Sequence, residues 1–147
     1  MNAAYYDAAY LIKLQCSEPG TAEVSAHAAT VDILCCSLHG RAEFASAAFR
    51  KVREGAATPE QYRALLAQLH QDSAAGHLKW LPVTDAIIER VESVFATAPP
   101  STNLRAADAV HLACAAEYGF TEVHSNDRLL LAAAPRFGLT GVNVIPG

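Results

Sequence analysis

A membrane-spanning segment is absent from the sequence, since no stretch approaches the ~20 consecutive apolar residues that a span requires. The amino-terminal segment MNAAYYD has neither the basic start nor the long apolar run of a secretion signal. We therefore expect a cytoplasmic protein that does not enter a membrane. An excess of positive charge is also lacking, because the formal net charge is −4. Contact with a phosphate backbone would therefore depend on local basic clusters or on bound metal ions.

Familiar zinc and disulfide patterns are lacking as well. The four cysteines are Cys16, Cys35, Cys36 and Cys114. None of them forms a C-x-x-C pair, so we predict reduced, buried thiols. The histidines His39, His111 and His124 fit no familiar spacing of zinc ligands. The sequence therefore gives no support for a zinc site.

Length and composition indicate one globular domain. The chain has 147 residues, of which 52% are hydrophobic and 18% charged, which suits a single buried core. Internal repeats, low-complexity tracts and linkers are not evident. We expect residues 1–147 to form a single domain.

Strands and helices alternate along the predicted chain. Short apolar runs predict strands at residues 3–6, 32–36, 78–83, 121–124 and 142–145. Helical patterns occupy residues 8–15, 22–30, 38–54, 59–75, 85–96, 104–118 and 127–134. This order implies βαβ units, and therefore an α/β fold with a mostly parallel sheet and helices on both sides.

Local signals mark several helix starts. Thr58, Pro59 and Gln61 have the spacing of a capping box with proline at the first helical position. Thr21 and Thr84 are also predicted to cap helices. The helix opened by Ser37 has apolar residues at the spacing of one helical face, which we expect to be buried: Leu38, Ala42, Ala45, Phe49 and Val52. This helix and the next form a predicted hairpin, a natural surface for a partner.

Two aspartates are predicted to lie at one edge of the sheet. Asp7 directly follows the first strand, and Asp127 follows the strand that ends at His124, with Ser125 and Asn126 as expected caps. The carboxyl ends of parallel strands share one edge, where ligands bind. An aspartate beside a helix start also has an ordinary explanation, because it balances the helix dipole. Neither residue alone distinguishes the two explanations.

Asp108 is harder to explain by structure alone. It lies in the predicted buried stripe of its helix, whose other members are Leu104, Ala107, His111, Leu112 and Ala115. A carboxylate there costs several kcal/mol, roughly, unless a cation or hydrogen bonds compensate it. Arg105 or His111 is one source of compensation, and a divalent ion is another. Glu43, near the start of its own helix, signals little by itself.

The four carboxylates gain meaning together. If they converge without a cation, they repel one another and raise each other's pKa values. Oxygen ligands suit Mg²⁺ or Mn²⁺, which also bind substrate phosphates. Such ions promote attack of water on a phosphodiester. A phospho-receiver domain is a rival with an acidic pocket, but receivers gather their acids early in the chain, whereas these extend from Asp7 to Asp127.

Four segments around these acids resemble a known family. They are residues 5–14 (YYDAAYLIKL), 37–44 (SLHGRAEF), 105–113 (RAADAVHLA) and 125–130 (SNDRLL), the last followed by Ala132-Ala133 and Gly138-Leu139. In this order they resemble the acidic motifs of PIN-domain ribonucleases, and more closely those of VapC-type toxins of bacterial type II toxin–antitoxin systems. The third and fourth segments are the most specific. The resemblance extends over essentially the whole chain.

The resemblance implies a fold, an activity and partners. The fold is a three-layer α/β/α sandwich, and the activity is a Mg²⁺- or Mn²⁺-dependent endoribonuclease inhibited by a cognate antitoxin. Homodimers are usual in the family. The four acids expected from the resemblance to coordinate the metal and serve catalysis are Asp7, Glu43, Asp108 and Asp127.

The expected RNA contacts are basic residues near the same edge: Lys13, Arg41, Arg105 and Arg128. A surface charge without a partner is an equal explanation for Lys13 and Arg128, and Arg41 and Arg105 can instead neutralise the acids. A basic run on the hairpin, Arg50, Lys51 and Arg53, is interpreted as a solvated face.

One departure from the family matters for activity. Its first motif commonly has Thr or Ser after the aspartate, where this chain has Ala8 and Ala9. Losing a hydroxyl that orients the acids or a metal-bound water weakens such sites by roughly 10–100-fold. A catalytically weak PIN domain that binds RNA or an antitoxin is therefore the alternative function.

Overall fold

Five short strands and seven α-helices alternate in the computed structural model, which describes residues 2–147. The strands are β1 (Ala3–Tyr5), β2 (Ile33–Ser37), β3 (Leu78–Leu81), β4 (Glu122–His124) and β5 (Thr140–Val142). The helices are α1 (Ala8–Gln15), α2 (Thr21–Ala28), α3 (Leu38–Arg53), α4 (Pro59–Ala74), α5 (Asp85–Thr97), α6 (Ala106–Glu117) and α7 (Arg128–Ala133). A 3₁₀ turn, Ala134–Phe137, follows α7 and contains Pro135.

All strand pairs in the described chain are parallel. Strand β2 lies between β1 and β3, and β4 pairs with β5. A parallel bridge between Tyr6 and His124 joins the two groups, supported by the Asp7 N–H, which donates to the His124 carbonyl at 3.1 Å. The strand order is therefore β3-β2-β1-β4-β5. The predicted parallel sheet is confirmed.

Two apolar cores cover the two faces of the sheet. Because side chains alternate along a strand, Tyr5 and Cys35 join one core with α5, α6 and α7. Ala4, Tyr6 and Cys36 join the other core with α1, α2, α3 and α4. Helices on both faces of a central sheet form the expected three-layer α/β/α sandwich.

Helix capping is mostly as the sequence predicts. The Thr58 hydroxyl accepts from the Gln61 N–H and the Gln61 side chain accepts from the Thr58 N–H, completing the capping box. Thr84 caps α5. The predicted Thr21 cap is wrong: Gly20, at φ 97°, precedes α2, and the Thr21 hydroxyl closes the preceding loop by donating to the Cys16 carbonyl. The positive φ favours glycine.

The prediction of which residues form the buried face of α3 is wrong. Its buried residues are Gly40, Phe44 and Ala48, whereas Leu38 and Phe49 are 46% and 52% exposed. Small residues at positions 40 and 48 allow close packing, but they add little to a hydrophobic pattern. The helix therefore presents apolar side chains to its surroundings.

The last strand lies earlier than predicted. Strand β5 covers Thr140–Val142, not residues 142–145, and Val144 and Ile145 pack instead against the core that contains Tyr10. The Val144 N–H donates to the Tyr10 hydroxyl at 2.8 Å. The apolar run thus leaves the sheet to cover a neighbouring core.

Two further features of the structure are the burial of the cysteines and the hydropathy of the helices. All four thiols are free, and the predicted burial holds for Cys35, Cys36 and Cys114, while Cys16 is half-buried. Within residues 2–147, no helix combines the length and apolar character needed to cross a bilayer.

The strand order creates a crevice at the carboxyl ends of β1 and β4. The chain runs outward from β1 to β2 and β3, then returns to the other side of β1 as β4. Helix α1, which follows β1, packs on one face, and α7, which follows β4, packs on the opposite face. Open parallel sheets bind ligands at such a reversal of strand order.

Candidate functional site

Asp7 is a buried carboxylate at the end of β1. Its Oδ1 atom accepts from the Tyr10 N–H at 3.0 Å, which caps α1, and its Oδ2 atom accepts from the Ser125 hydroxyl at 2.5 Å. Burial raises the pKa of Asp7 above its ordinary value, although the charge of His111 and these hydrogen bonds oppose the shift. One oxygen therefore holds the helix start, while the other meets a residue that follows β4.

Asp127 repeats this arrangement at the start of α7. Its Oδ1 atom accepts from the Leu129 and Leu130 N–H groups at 2.9 and 3.3 Å. The predicted caps Ser125 and Asn126 are therefore replaced by Asp127 itself. The Ser125 hydroxyl oxygen accepts from the Asp127 N–H at 2.9 Å, and thus links this loop to Asp7.

Asp108 faces Asp127 across Arg105. Asp108 is buried in the first turn of α6, as predicted, although Ala107 of the same stripe is exposed. The Arg105 guanidinium donates to Asp108 Oδ2 through two nitrogens at 3.3 Å and to Asp127 Oδ2 at 3.1 Å. Burial and the charge of Asp127 raise the pKa of Asp108, against the influence of Arg105.

Asp7, Asp108 and Asp127, which we call the aspartate cluster, are thus linked by Ser125 and Arg105. The ordinary explanation as helix caps applies to Asp7 and Asp127, but it uses only their Oδ1 atoms. The Oδ2 atom of Asp7 contacts Ser125, and the Oδ2 atoms of Asp108 and Asp127 both contact Arg105.

Glu43 is held by two histidines, His39 and His111. The Nε2 atom of His111 donates to Glu43 Oε1 at 2.6 Å, and the Nε2 atom of His39 lies 3.3 Å from the same oxygen. Burial opposes ionisation of Glu43, but the hydrogen bond and charges of the histidines, with the charge of Arg105, outweigh it and lower the pKa. We call His39, Glu43 and His111 the histidine–glutamate cluster.

Hydroxyl groups hold the far side of both imidazoles. The Tyr5 hydroxyl contacts His111 Nδ1 at 2.7 Å and accepts from the Ser37 N–H at 3.0 Å. The buried Ser37 hydroxyl contacts His39 Nδ1 and lies 3.4 Å from His111 Nδ1. Strand ends of β1 and β2 therefore position helix-borne side chains of α3 and α6.

The two clusters lie beside one another. The pKa of Asp7 is shifted by the charges of both His111 and Glu43, and that of Asp108 by His111. Within residues 2–147, however, the only three potential ligand atoms of acids, cysteines and histidines that all lie within 4.8 Å belong to His39, Glu43 and His111. The four predicted acids therefore share one edge of the sheet without forming an equally compact set.

The donor chemistry of the aspartate cluster fits a hard divalent ion. Its carboxylate oxygens are the ligands that Mg²⁺ and Mn²⁺ prefer. Burial raises the pKa values of Asp7 and Asp108, and a cation offsets such a cost. Arg105 already brings positive charge between two of these acids.

The family model of the PIN domain matches residues 4–135. The chain belongs to the PIN domain family. The expectation drawn from the four motifs is thereby confirmed at the family level, and the predicted PIN-like sandwich agrees with the observed layers. No curated protein matches this chain significantly in sequence.

Several solved structures have a similar fold. The chain is similar to VapBC2 from Rickettsia felis bound to promoter DNA, with a TM-score of 0.71 at 10% identity, over 96% of this chain and 98% of that chain. Mycobacterium tuberculosis VapC20, a sarcin–ricin-loop-cleaving toxin, gives 0.68 at 14%, over 88% and 94%. FitAcB from Neisseria gonorrhoeae gives 0.68 at 15%, over 96% and 97%. At such low sequence identities, this structural likeness shows a common fold alone.

A groove of about 1010 Å³ in the PIN domain opens beside the clusters. It runs between α1 and α3, with Glu43 and Arg105 at its lining together with the basic run of Arg50, Lys51 and Arg53. The sequence predicts only a solvated face for Arg50, Lys51 and Arg53. Arg50 pairs with Glu54, and Lys51 with Glu18, so part of this charge is already paired.

The other predicted RNA contacts differ in their surroundings. Lys13 is half-buried and donates to Glu18 and to the Pro19 carbonyl, which closes the turn after α1. Arg41 donates to His70 on α4. Arg128 is exposed beside Asp127, at the first position of α7. Their contact with RNA stays a prediction, and Lys13 has the clearest structural role.

The alanines of the first motif lie on the groove of the PIN domain. Ala8 is buried and Ala9 is exposed, and both line the groove without a hydroxyl to offer. The Ser125 hydroxyl instead bonds Asp7 and the backbone of Asp127. An orienting hydroxyl is therefore present, but it comes from the loop after β4.

The histidine–glutamate cluster and its hydroxyl partners escaped the sequence analysis. The available signal was the position of His111 in the same buried stripe as Asp108, since a buried imidazole requires partners. Those partners, Tyr5, Ser37 and Glu43, come from distant segments, so spacing along the chain could not reveal them. His124, the third histidine considered, packs instead near Tyr6 and His27.

Proposed function

We propose that this PIN domain, residues 1–147, is a Mg²⁺- or Mn²⁺-dependent endoribonuclease, acting in the cytoplasm as the toxin of a type II toxin–antitoxin pair. The observation that carries the proposal is the series of contacts that joins the three aspartates at the crevice between β1 and β4. Ser125 links Asp7 Oδ2 to the Asp127 N–H, and Arg105 links Asp127 Oδ2 to Asp108 Oδ2. The RNA-cleaving VapC20 has a similar fold.

The aspartate cluster and Glu43 hold the ion, directly or through water. An ion held there would supply a water of lowered pKa and positive charge beside the phosphate. Because Oδ1 caps a helix in both Asp7 and Asp127, each side chain has a fixed direction before the ion arrives. One carboxylate would accept the proton of the attacking water, while the bond from phosphorus to the leaving ribose oxygen breaks and that oxygen takes up a proton.

Basic residues bind the RNA backbone next to the acids. Arg105 is 70% exposed, so its guanidinium is free to turn from the carboxylates to a phosphate, a ligand that its planar donors suit. Arg41 lies on α3, the helix of Glu43, and Arg128 follows Asp127 at the start of α7. The proposed path of the RNA continues along the groove towards Arg53.

An antitoxin and a second copy of the chain are the proposed protein partners. Exposed Leu38 and Phe49 on α3 offer apolar surface for such contacts, and Phe49 is braced edge-on by Tyr62 of α4 at 6.1 Å. The solved relatives VapBC2 and FitAcB support the choice of partner. Co-purification with a small DNA-binding protein encoded nearby, and light scattering, test these two associations.

The activity is tested with single amide substitutions in the aspartate cluster. Asp7→Asn and Asp108→Asn are expected to lower Mg²⁺-dependent RNA cleavage by more than ~100-fold, beyond the usual loss for outer-shell partners. Asp85→Asn is a matched control, because Asp85 is an exposed acid in the first turn of α5. Undiminished cleavage by rigorously purified Asp108→Asn protein would contradict the assignment.

The absence of hydroxyls at Ala8 and Ala9 supports the alternative, a catalytically weak PIN domain that binds RNA or an antitoxin. Calorimetry with Mn²⁺ separates the two functions. The nuclease releases metal-dependent heat that is lost when all four acids are replaced by amides. A binding module gives no such heat in either protein and still binds RNA or its antitoxin.

A further inference from the structure

The histidine–glutamate cluster has the donor set of a transition-metal site. Two imidazole nitrogens and one carboxylate oxygen all lie within 4.8 Å of one another. Imidazole nitrogen suits borderline ions such as Zn²⁺, whereas Mg²⁺ prefers an all-oxygen environment. The chemistry of this cluster thus differs from that of the neighbouring aspartates.

Both imidazoles present the same nitrogen to the carboxylate. The Nε2 atom of His111 bonds Glu43 Oε1 at 2.6 Å, and that of His39 lies 3.3 Å from the same oxygen while donating to the Ala107 carbonyl at 3.1 Å. Around a tetrahedral ion with bonds of ~2.0–2.1 Å, neighbouring ligand atoms lie about 3.3 Å apart. The His39 distance already has this value, and the His111 distance needs to widen by less than an ångström.

The opposite nitrogens are held as ligand histidines usually are. Metal-bound histidines almost always donate their second ring N–H to an oxygen, which fixes the ring. Here the Nδ1 atom of His111 meets the Tyr5 hydroxyl at 2.7 Å, and that of His39 meets the Ser37 hydroxyl. Moving the ring proton from Nε2 to Nδ1 lets each hydroxyl oxygen accept it and leaves both Nε2 lone pairs for the ion. In this change His39 gives up its hydrogen bond to the Ala107 carbonyl.

Access to the cluster comes from the groove. Glu43 lines the groove and its side chain is 36% exposed, while the His39 side chain is 25% exposed. His111, at 2%, forms the buried base. Three protein ligands with an open side towards a groove describe a site that can take a further ligand.

We propose that His39, Glu43 and His111 bind a divalent transition-metal ion, with Zn²⁺ as the best-suited ion, at a site separate from the aspartate cluster. This site does not depend on the nuclease function proposed above. Glu43 is the one residue assigned to both centres, so the ion would draw Glu43 away from an ion held by the aspartates.

Calorimetric titration of the whole chain with Zn²⁺ alone tests the site. One equivalent is expected to bind to wild type, and His39→Ala is expected to weaken its affinity by at least ~10-fold, whereas His77→Ala and Asp127→Asn change it by less than ~2-fold. His77 is an exposed histidine outside the cluster. No binding to wild type, unchanged affinity in His39→Ala, or a loss in Asp127→Asn equal to that in His39→Ala each overturns the proposal.

A second measurement uses wild type only and so does not depend on how a variant folds. Long-range ¹H–¹⁵N spectra of the histidine rings are recorded with and without Zn²⁺. The Nε2 resonances of His39 and His111 are expected to move to positions of metal-bound nitrogen, while those of His77 stay in place. Spectra in which neither Nε2 resonance moves at saturating Zn²⁺ contradict the proposal.

Discussion

Two acidic centres lie side by side in this PIN domain, and their carboxylates are treated in opposite ways. In the aspartate cluster, burial raises the pKa values of Asp7 and Asp108 in spite of the partners Ser125 and Arg105. In the histidine–glutamate cluster, the imidazoles outweigh burial and lower the pKa of Glu43. The difference teaches that the balance between burial and the neighbouring charges and hydrogen bonds decides the direction in which each pKa shifts.

Among substitutions outside the four acids, the largest expected effect comes from removing the hydroxyl that links Asp7 to the backbone of Asp127. Ser125→Ala leaves Asp7 Oδ2 and the Asp127 N–H without their shared partner. We expect Mg²⁺-dependent RNA cleavage to fall by roughly 10–100-fold, the range for partners that orient metal ligands. The measurement is kcat/KM on an RNA substrate, with Ser101→Ala in an exposed loop as control. If Ser125→Ala cleaves as fast as wild type, Ser125 does not serve the cluster.

A methyl group at Gly40 tests how tightly the other centre is packed. An added Cβ would meet Cys36 Sγ and lie 3.1 Å from His111 Cε1, so the helix or the imidazole must shift. Gly40→Ala is expected to lower the free energy of unfolding by about 1–3 kcal/mol, as overpacking does. Urea denaturation measures the change. Ser46→Ala, on the exposed side of the same helix, should be neutral, and a Gly40→Ala variant as stable as Ser46→Ala would show that the helix has room.

A smaller loss is expected from the hydroxyl behind His111. Tyr5→Phe removes the oxygen that meets His111 Nδ1 and accepts from the Ser37 N–H, leaving buried polar groups unsatisfied. The expected loss is about 1–2 kcal/mol, within the range for such groups. Thermal and urea unfolding measure it, with Tyr62→Phe as control. Equal stability of Tyr5→Phe and wild type would mean that another group replaces the hydroxyl.

The smallest effect has the opposite sign. Because burial raises the pKa of Asp7, the folded chain binds a proton more tightly than the unfolded chain, and stability falls as pH rises through the interval above the ordinary value of 3.8. Asp7→Asn removes this dependence. In metal-free buffer at neutral pH we expect a higher Tm, by about 2–4 °C for each ~1 kcal/mol relieved.

The pH profile of Tm supplies the control for Asp7→Asn. The difference from wild type should disappear below pH 3.8, where the wild-type carboxyl is protonated in both states. A constant difference at all pH values would attribute the effect to something other than charge. An Asp7→Asn variant less stable than wild type at neutral pH would contradict the sign.

Much of the fold could be predicted because local chemistry decides it. The capping box of Thr58 and Gln61 and the cap at Thr84 need only their neighbours in the chain. The prediction of the buried face of α3 was wrong because Gly40 and Ala48 are buried on account of their small size, and a hydropathy pattern does not include size. Tertiary contacts also decided the place of Val144, whose apolar character fits a strand and a core equally well.

The site was predicted in part for the same reason. Asp7, Asp108 and Asp127 follow or open regular elements, so the order of elements indicates that they share an edge. The pairing of Glu43 with His111 joins α3 to α6 across 68 positions of sequence, and no local pattern records it. Family resemblance pointed to Glu43 but not to the imidazoles that hold it.

The strand order has a consequence for synthesis of the protein. Strand β1 is made before β2 and β3, yet its neighbour β4 and the loop with Ser125 and Asp127 are made only after both of them. A chain still attached to the ribosome therefore lacks one wall of the acidic centre until β4 and this loop have been translated. If the domain cleaves RNA, cleavage has to wait until these segments have joined β1.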